Sequence, residues 1–400
     1  MKVLITTDWY EPTVNGVVTS VVNLAGGLIA LGHEVKILTL SGDTHSHVCG
    51  NVTYIGSVGV GMIYPNARLK AAPSAKYVRA LVAWRPDVVH SQCEFSTFYL
   101  AKRIASMCGC PLVHTYHTVY EDFTHYFSPS VRFGKRMAAS FSKRILGKTQ
   151  AVIAPTCKVR DMLIGYGVKA PIFIVPSGLA LSQFQAQPND EDRSAMRARL
   201  GLAESDFVLL YLGRLAQEKN VEELLGFLQG ADDPRVKLLL VGDGPCRTRL
   251  AERAQAAGLD GRVIFAGQVA PSKVARYYSV ADVFVSASNS ETQGLTYIEA
   301  MASGLPLLCR DDPCLTGVIQ DGVNGCLYRN ETEFAGKLMQ LLSDSSFRNV
   351  IGKAARETAM QRFSEKRFAE TVRNIYWQLR YRAMVNAAQP CTIKRWEAAQ

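Results

Sequence analysis

Along this chain the apolar residues gather in short buried-type runs, separated by glycine-bearing loops and by stretches of helical spacing. Lys2 to Thr7 reads as a strand, Asn15-Gly16 breaks it, and Val17 to Leu31 carries apolar positions at helical spacing up to Gly32. The strand Glu34 to Leu40 follows at once, which makes a βαβ unit and predicts parallel α/β architecture. Further buried-type strands are expected at Val88 to His90, Leu112 to His114 and Ala151 to Ala154, and residues 172–178 close a strand with Pro176 and Gly178. After the polar, breaker-rich stretch Gln185 to Arg193 the pattern restarts, with strands at Phe207 to Leu212, Val236 to Val241, Val263 to Phe265 and Val283 to Val285. The expected division is a first lobe over residues 1–178, a linker over 179–200 and a second lobe over 201–375. Glu365 to Met384 has helical spacing and many aromatics, so a terminal helix over about 376–400 is expected to pack back on the first lobe.

Four hundred residues suit two domains of ordinary size, and 48% apolar with 20% charged is the balance of a globular protein with sizeable cores. The charge of +10 sharpens the picture because it is uneven: residues 1–180 hold 18 Lys/Arg against 9 Asp/Glu, and the remainder 27 against 26. A basic first half suits nucleic acid, an anionic lipid surface or an anionic ligand, and charge alone does not choose. The ten cysteines include no CxxC pair, and Cys108-Gly109-Cys110 is too tight for a zinc site, so reduced thiols in a cytosolic protein are expected. Lys2 runs directly into the apolar strand Val3-Leu4-Ile5 without the long apolar core of a signal peptide, and no apolar run reaches about 18 residues, so any membrane contact is expected to be peripheral. No short-period repeat or low-complexity tract occurs.

Ligands of doubly wound sheets settle at the carboxyl ends of strands, which directs attention to the loops that follow them. Thr13 to Val17 places Gly16 before a helix whose first N–H groups suit a phosphate; a plain βα turn is the alternative. Gly213 to Asn220 sets two cations, Arg214 and Lys219, on one loop, a pair suited to clamping a diphosphate; Glu218 beside Lys219 offers an ordinary ion pair instead. Ser288 to Pro306 carries Glu291 and Glu299, eight residues apart. If Gly294 opens a helix, Glu291 lies in the loop before it and Glu299 about one turn inside, so both carboxylates face one cleft and accept hydrogen bonds from sugar or ribose hydroxyls. Free N–H groups near Thr292, Gln293, Gly294 and Leu295 point at phosphate or sugar oxygens.

The stretch Glu291 to Glu299, with Gly304-Leu305-Pro306 after it, resembles the Glu-seven-residues-Glu signature of family 4 retaining glycosyltransferases. Gly213-Arg214 with Lys219, Val241 to Pro245, Val175 to Gly178 and Asp321 to Gly325 stand in that family's order, so the resemblance spans nearly the whole chain. It implies an α/β GT-B fold: two Rossmann-like parallel-sheet lobes with the active site in the cleft between them. Carried over, Arg214 and Lys219 hold the diphosphate, Glu299 the ribose hydroxyls and Glu291 hydroxyls of the transferred sugar, while Gly16 approaches the phosphate and Val269, in Gly267-Gln268-Val269, meets the base. In the family the residue matching His117 lies beside the reacting sugar, where its carbonyl and ring support positive charge at the anomeric carbon.

The string His114 to Phe123, with His90 to Ser96, resembles bacterial diacylglycerol glucosyltransferases more specifically. That resemblance implies glucose transfer from UDP-glucose to the 3-hydroxyl of diacylglycerol, with galactose or mannose as other donor sugars, and phosphatidylinositol, a glycolipid or a soluble sugar as other acceptors. Val131 to Lys148 interleaves six cations with Phe133, Met137, Phe141, Ile145 and Leu146, a basic amphipathic segment able to lie on anionic lipid; an ordinary surface helix is the bland reading. Residues 58–64, with Met62 and Ile63, are a second candidate for membrane contact. Together these lead to the expectation of a cytoplasmic protein peripherally associated with the inner face of the cell membrane, with no nucleic acid partner.

Retention with no identified carboxylate nucleophile implies front-side substitution, the departing phosphate taking the acceptor proton while Arg214, Lys219 and helix-end N–H groups stabilise it. This needs neither a catalytic metal nor a tightly bound cofactor, and the resemblance allows magnesium as a stimulant. An NAD-dependent dehydrogenase is disfavoured because Gly242 to Arg247 lacks the third glycine of the dinucleotide fingerprint. A sugar-nucleotide 2-epimerase shares the donor site but has no need of a basic amphipathic face. A non-catalytic lipid- or nucleic-acid-binding protein leaves the donor constellation unexplained.

Overall fold

The computed structural model describes residues 1–60, 67–121, 130–185 and 189–388, with side chains to residue 385. Most of the second candidate membrane loop, at 58–64, therefore lies outside the described residues, as do Asp122, Phe123 and the tail beyond Ala388. The chain forms two compact units: one from residues 1–155, 160–175 and the chain from Phe368, the other from 156–159 and 176–367.

The first unit is built on an eight-stranded sheet. Its strands run in the order Ile172–Ile174, Ala151–Ala154, Leu112–Thr115, Val88–Ser91, Lys2–Thr6, Glu34–Leu40, Val52–Ile55 and His47–Cys49. All neighbours are parallel except the last pair. Alternation along a strand sends successive side chains to opposite faces, and two apolar layers result. Val3, Ile5 and Ile37 pack with the helix Gly16–Ala30 and with Phe368, Val372, Ile375 and Tyr376 of the helix Glu365–Ala388. Leu4, Leu38 and Leu40 pack instead with Val78 of Ala75–Trp84 and Phe98 and Ile104 of Ser96–Cys108. The terminal helix is also fixed by a polar tie: buried His90 shares hydrogen bonds with Tyr376 Oη at 2.6 Å and Thr115 Oγ1 at 2.7 Å.

The second unit holds a six-stranded parallel sheet in the order Val263–Gly267, Val236–Val241, Phe207–Leu212, Val283–Ser286, Leu307–Arg310 and Cys326–Tyr328. In chain order this is 3-2-1-4-5-6, the doubly wound arrangement of nucleotide-binding folds. Residues 179–200, expected from their polarity to be a linker, belong to this unit. Leu179, Leu181 and Phe184 are buried in its core, and the helix Asp190–Arg199 sends the buried Arg197 guanidinium to the carbonyls of Val280, Ala203 and Asp206. A buried arginine on a polar helix, its two terminal nitrogens bonded to carbonyls, is invisible to hydropathy. Asp190-Glu191-Asp192, an Asp-x-Asp triplet, occupies the first turn of that helix, where carboxylates offset the positive end of its dipole.

Candidate functional site

In the second unit the strand order reverses between Phe207–Leu212 and Val283–Ser286. Loops leaving their carboxyl ends diverge there and open a crevice. Lys219 sits on the first loop, at the end of the short 3-10 turn Gln217–Lys219, and Glu291 on the second. Lys219 Nζ donates to Glu291 Oε1 at 2.6 Å, with the two side chains 22% and 18% exposed. Burial works against the ammonium charge, but Glu291 outweighs it and holds the Lys219 pKa above its ordinary value. The ion pair Lys219 makes is therefore across the crevice rather than with adjacent Glu218, whose carbonyl instead accepts from Ser290 Oγ at 2.8 Å.

Arg214 owes its place to glycines. Gly213 N–H donates to Val241 O at 2.9 Å and Leu215 N–H to Asp243 O at 3.0 Å, stitching two strand-end loops together. The approach is so close that a Cβ on Gly242 would lie 1.9 Å from Gly213 O. Among the described residues the half-buried Arg214 guanidinium has no hydrogen-bond or ion-pair partner, leaving a cation without counter-ion on the loop that carries Lys219.

Gly294 has φ 72, and a Cβ there would lie 2.4 Å from the Tyr297 ring, so the turn into the helix Leu295–Ala302 requires glycine. The first N–H groups of that helix have no helical acceptor and form its positive end. Glu299 lies one turn inside. Its Oε2 accepts from the buried Tyr278 hydroxyl at 2.7 Å, and burial, opposed by that bond, pushes its pKa up to about 7. The Gln293 side-chain amide brackets the Ser177 backbone at 2.8 and 2.9 Å, whereas the expectation concerned main-chain N–H groups at this loop. Thr292 O accepts from Thr156 Oγ1 and Asn289 O from Lys158 Nζ, so residues 156–159 brace the acidic loop. Val269 is half-buried and packs on the second unit's core. Sequence reasoning missed Tyr278, Thr156 and Lys158, which meet the site across long separations and carry no local signal.

The first unit has its own order reversal, between Lys2–Thr6 and Val88–Ser91. A buried polar cluster occupies the strand ends there. His117 Nε2 lies 2.7 Å from Gln92 Oε1, His114 Nε2 3.2 Å from Glu94 Oε1, and Tyr120 Oη donates to Glu94 Oε2 at 2.7 Å. Burial, against the opposing pull of Glu94, lowers the His117 pKa to about 4, so its ring is neutral near pH 7. Gly16 is the exposed first residue of its helix, capped by Asn15, whose side chain accepts from Val18 N–H at 2.9 Å.

The helix Val131–Leu146 buries Gly134, Ala138, Ser142, Ile145 and Leu146. Val131, Phe133 and Met137 are exposed, beside the exposed cations Arg132, Lys135 and Arg136. Among the described residues no helix is long and apolar enough to cross a membrane.

Comparison with known proteins agrees with this architecture. Residues 14–183 match the model of Glycosyltransferase Family 4, and residues 192–358 that of glycosyl transferases group 1. The chain is 35% identical over 346 residues to an alpha-monoglucosyldiacylglycerol synthase of Streptococcus pneumoniae, covering 86% of this chain and 78% of that one. It is 31% identical over 392 residues to the enzyme of the same name from Acholeplasma laidlawii, covering 95% and 97%. Among solved structures, Anabaena HepE in complex with UDP-glucose aligns with a TM-score of 0.75 at 20% identity, over 95% of this chain and all of that one, a likeness of fold. With both units accounted for by these matches, the chain belongs to the family 4 glycosyltransferases and has the GT-B fold.

Proposed function

We propose that this enzyme transfers glucose from UDP-glucose to the 3-hydroxyl of diacylglycerol with retention of configuration, at the inner face of the cell membrane. The observation that carries the donor half is the Lys219–Glu291 pair at the order reversal of the second sheet, on loops that also carry Arg214, without a partner among the described residues, and a helix N-terminus. Arg214 and Lys219 take the diphosphate, whose charge grows as the sugar leaves. Main-chain N–H groups from Thr292 to Leu295, and Gly16 in the first unit, meet phosphate or sugar oxygens. Glu291 grips sugar hydroxyls, Glu299 the ribose diol, and Val269 lies against the base. His117, neutral near pH 7, offers a carbonyl and an uncharged ring to the developing positive carbon without repelling it.

The names of the two relatives support the acceptor, and the donor bound in the Anabaena structure supports UDP-glucose. The exposed Phe133 and Met137 among cations support peripheral contact with an anionic membrane. A donor-by-acceptor screen tests the reading: UDP-glucose, UDP-galactose and GDP-mannose against diacylglycerol vesicles, phosphatidylinositol, glycolipid and soluble sugars, with and without magnesium. The expected product is α-glucosyl diacylglycerol. Transfer from another donor, or to another acceptor alone, overturns that part, and epimerised donor without transfer overturns the whole. Co-sedimentation with anionic vesicles is expected to fall with salt and in Phe133→Asp.

A further inference from the structure

The buried cluster of the first unit contains polar atoms without partners, Thr6 Oγ1, Asp8 Oδ2, Gln92 Nε2, Thr97 Oγ1 and His114 Nδ1 among them, and two of these residues follow the strands at the order reversal. Asp8 follows the strand Lys2–Thr6 and Gln92 the strand Val88–Ser91, the pair between which the sheet order reverses. Thr6 and Ser91 are paired in register, Gln92 N–H donates to Thr6 O at 2.8 Å, and Thr7 Oγ1 lies 3.5 Å from Cys93 Sγ, so the two strand ends run side by side. Asp8 is 4% exposed and Gln92 2%. Asp8 Oδ1 accepts from Thr97 N–H at 2.9 Å, and Gln92 Oε1 is taken by His117, but Asp8 Oδ2 and Gln92 Nε2 are buried with no hydrogen bond. Leaving such atoms unsatisfied is costly, and groups left so in a native fold point to a missing partner. One is an acceptor and the other a donor, and a hydroxyl is the small group that answers both at once.

We infer that Asp8 Oδ2 and Gln92 Nε2 receive the acceptor's hydroxyl, the hydroxyl donating to the carboxylate and accepting from the amide. This rests on the proposed transfer to an alcohol and adds the residues that hold that alcohol. Gln92 then does two things: its oxygen fixes His117, and its nitrogen fixes the nucleophile beside it. The contact belongs to the bound ground state. In transfer the bond from the acceptor oxygen to C1 forms as the C1–O bond to the diphosphate breaks, the proton passes to the departing phosphate oxygen, and Asp8 ends ionised as it began.

Asp8→Asn tests this, since an amide oxygen can still accept from Thr97 N–H while its nitrogen replaces the accepting oxygen. The acceptor KM is expected to rise at least about tenfold, the loss of one hydrogen bond to a charged group, with UDP affinity and melting temperature unchanged. In the double variant Asp8→Asn with Gln92→Glu the donor and acceptor are exchanged. The carboxylate introduced at position 92 can still accept from the His117 ring, and part of the lost acceptor affinity is expected to return. An Asp8→Asn enzyme with wild-type acceptor KM overturns the inference, as does a rise in KM matched by loss of UDP affinity or of melting temperature, which marks a structural role. A wild-type enzyme that glycosylates some alcohol other than diacylglycerol overturns the lipid reading alone, and the same variants then test the inference on that alcohol. An enzyme that transfers to no alcohol overturns both.

Discussion

Lys219 Nζ and Glu291 Oε1 are 2.6 Å apart although 72 residues separate them in the chain. The strand ends they follow are neighbours only because the sheet order reverses there, so the contact is a product of topology. The pair holds a cation and an anion ready in one crevice without a large unbalanced charge.

Because both side chains are about four-fifths buried, removing one partner leaves the other's charge uncompensated and costs stability, and on the proposed reading it also removes donor contacts. Lys219→Met and Glu291→Gln are each expected to lower turnover with UDP-glucose by about a hundredfold or more. Their unfolding free energies should fall by about 1–3 kcal/mol. Steady-state rates and urea unfolding check both parts. Near-normal turnover in either variant counts against a donor role.

Glu299 gives a pH dependence whose sign is fixed. Burial holds its pKa up at about 7, whereas a ribose diol donating hydrogen bonds requires the carboxylate. UDP-glucose binding should therefore release a proton below pH 7, and affinity should rise with pH to a plateau above it. The same group favours the folded state most at low pH, and that contribution declines as pH rises from the ordinary carboxyl range to about 7. Calorimetry in buffers of different ionisation enthalpy measures the proton count, and Glu299→Gln should abolish it.

Gly242 is constrained by the backbone of the neighbouring loop, since its φ of 136 and a Cβ 1.9 Å from Gly213 O leave no room for a side chain. Gly242→Ala is expected to cost at least about 2 kcal/mol and to weaken donor binding by displacing Arg214. Gly226→Ala, with nothing within 4 Å, is the control for which neither change is expected. Equal behaviour of the two variants contradicts the close-approach argument.

His90 and Tyr376 are both fully buried, and their 2.6 Å bond ties the last described helix to the sheet of the first unit. Tyr376→Phe should cost about 1–3 kcal/mol by leaving His90 Nδ1 unsatisfied. Tyr381→Phe, at a site 71% exposed, should be neutral. Chemical denaturation of the two variants decides it.

Much of this fold is legible in the chain because buried parallel strands are rich in apolar residues: Glu34–Leu40, Ala151–Ala154, Phe207–Leu212 and Val236–Val241 stand where the pattern puts them. The exposed edge strand His47–Cys49 and the polar helix Asp190–Arg199 do not show, since neither has an apolar signature. Of the candidate site, Arg214, Lys219, Glu291 and Glu299 stand out in the sequence because they are chemistry-bearing residues that follow strand ends. Their partners do not: Tyr278 reaches Glu299 across 21 residues, and Lys158 reaches Asn289 across 131. Asp8 is equally silent, because a single carboxylate after a strand reads as a turn until its buried, partnerless oxygen is seen.

The most direct test of the donor crevice is calorimetric titration of UDP-glucose and of UDP into the wild-type enzyme, Lys219→Ala and Glu291→Ala. The wild type should bind both. Lys219→Ala should weaken both at least about tenfold, as expected for losing a charge-assisted contact to the diphosphate. Glu291→Ala should bring UDP-glucose down to the affinity of UDP, since the sugar's grip is lost. Wild-type affinities for UDP-glucose in both variants would contradict the account.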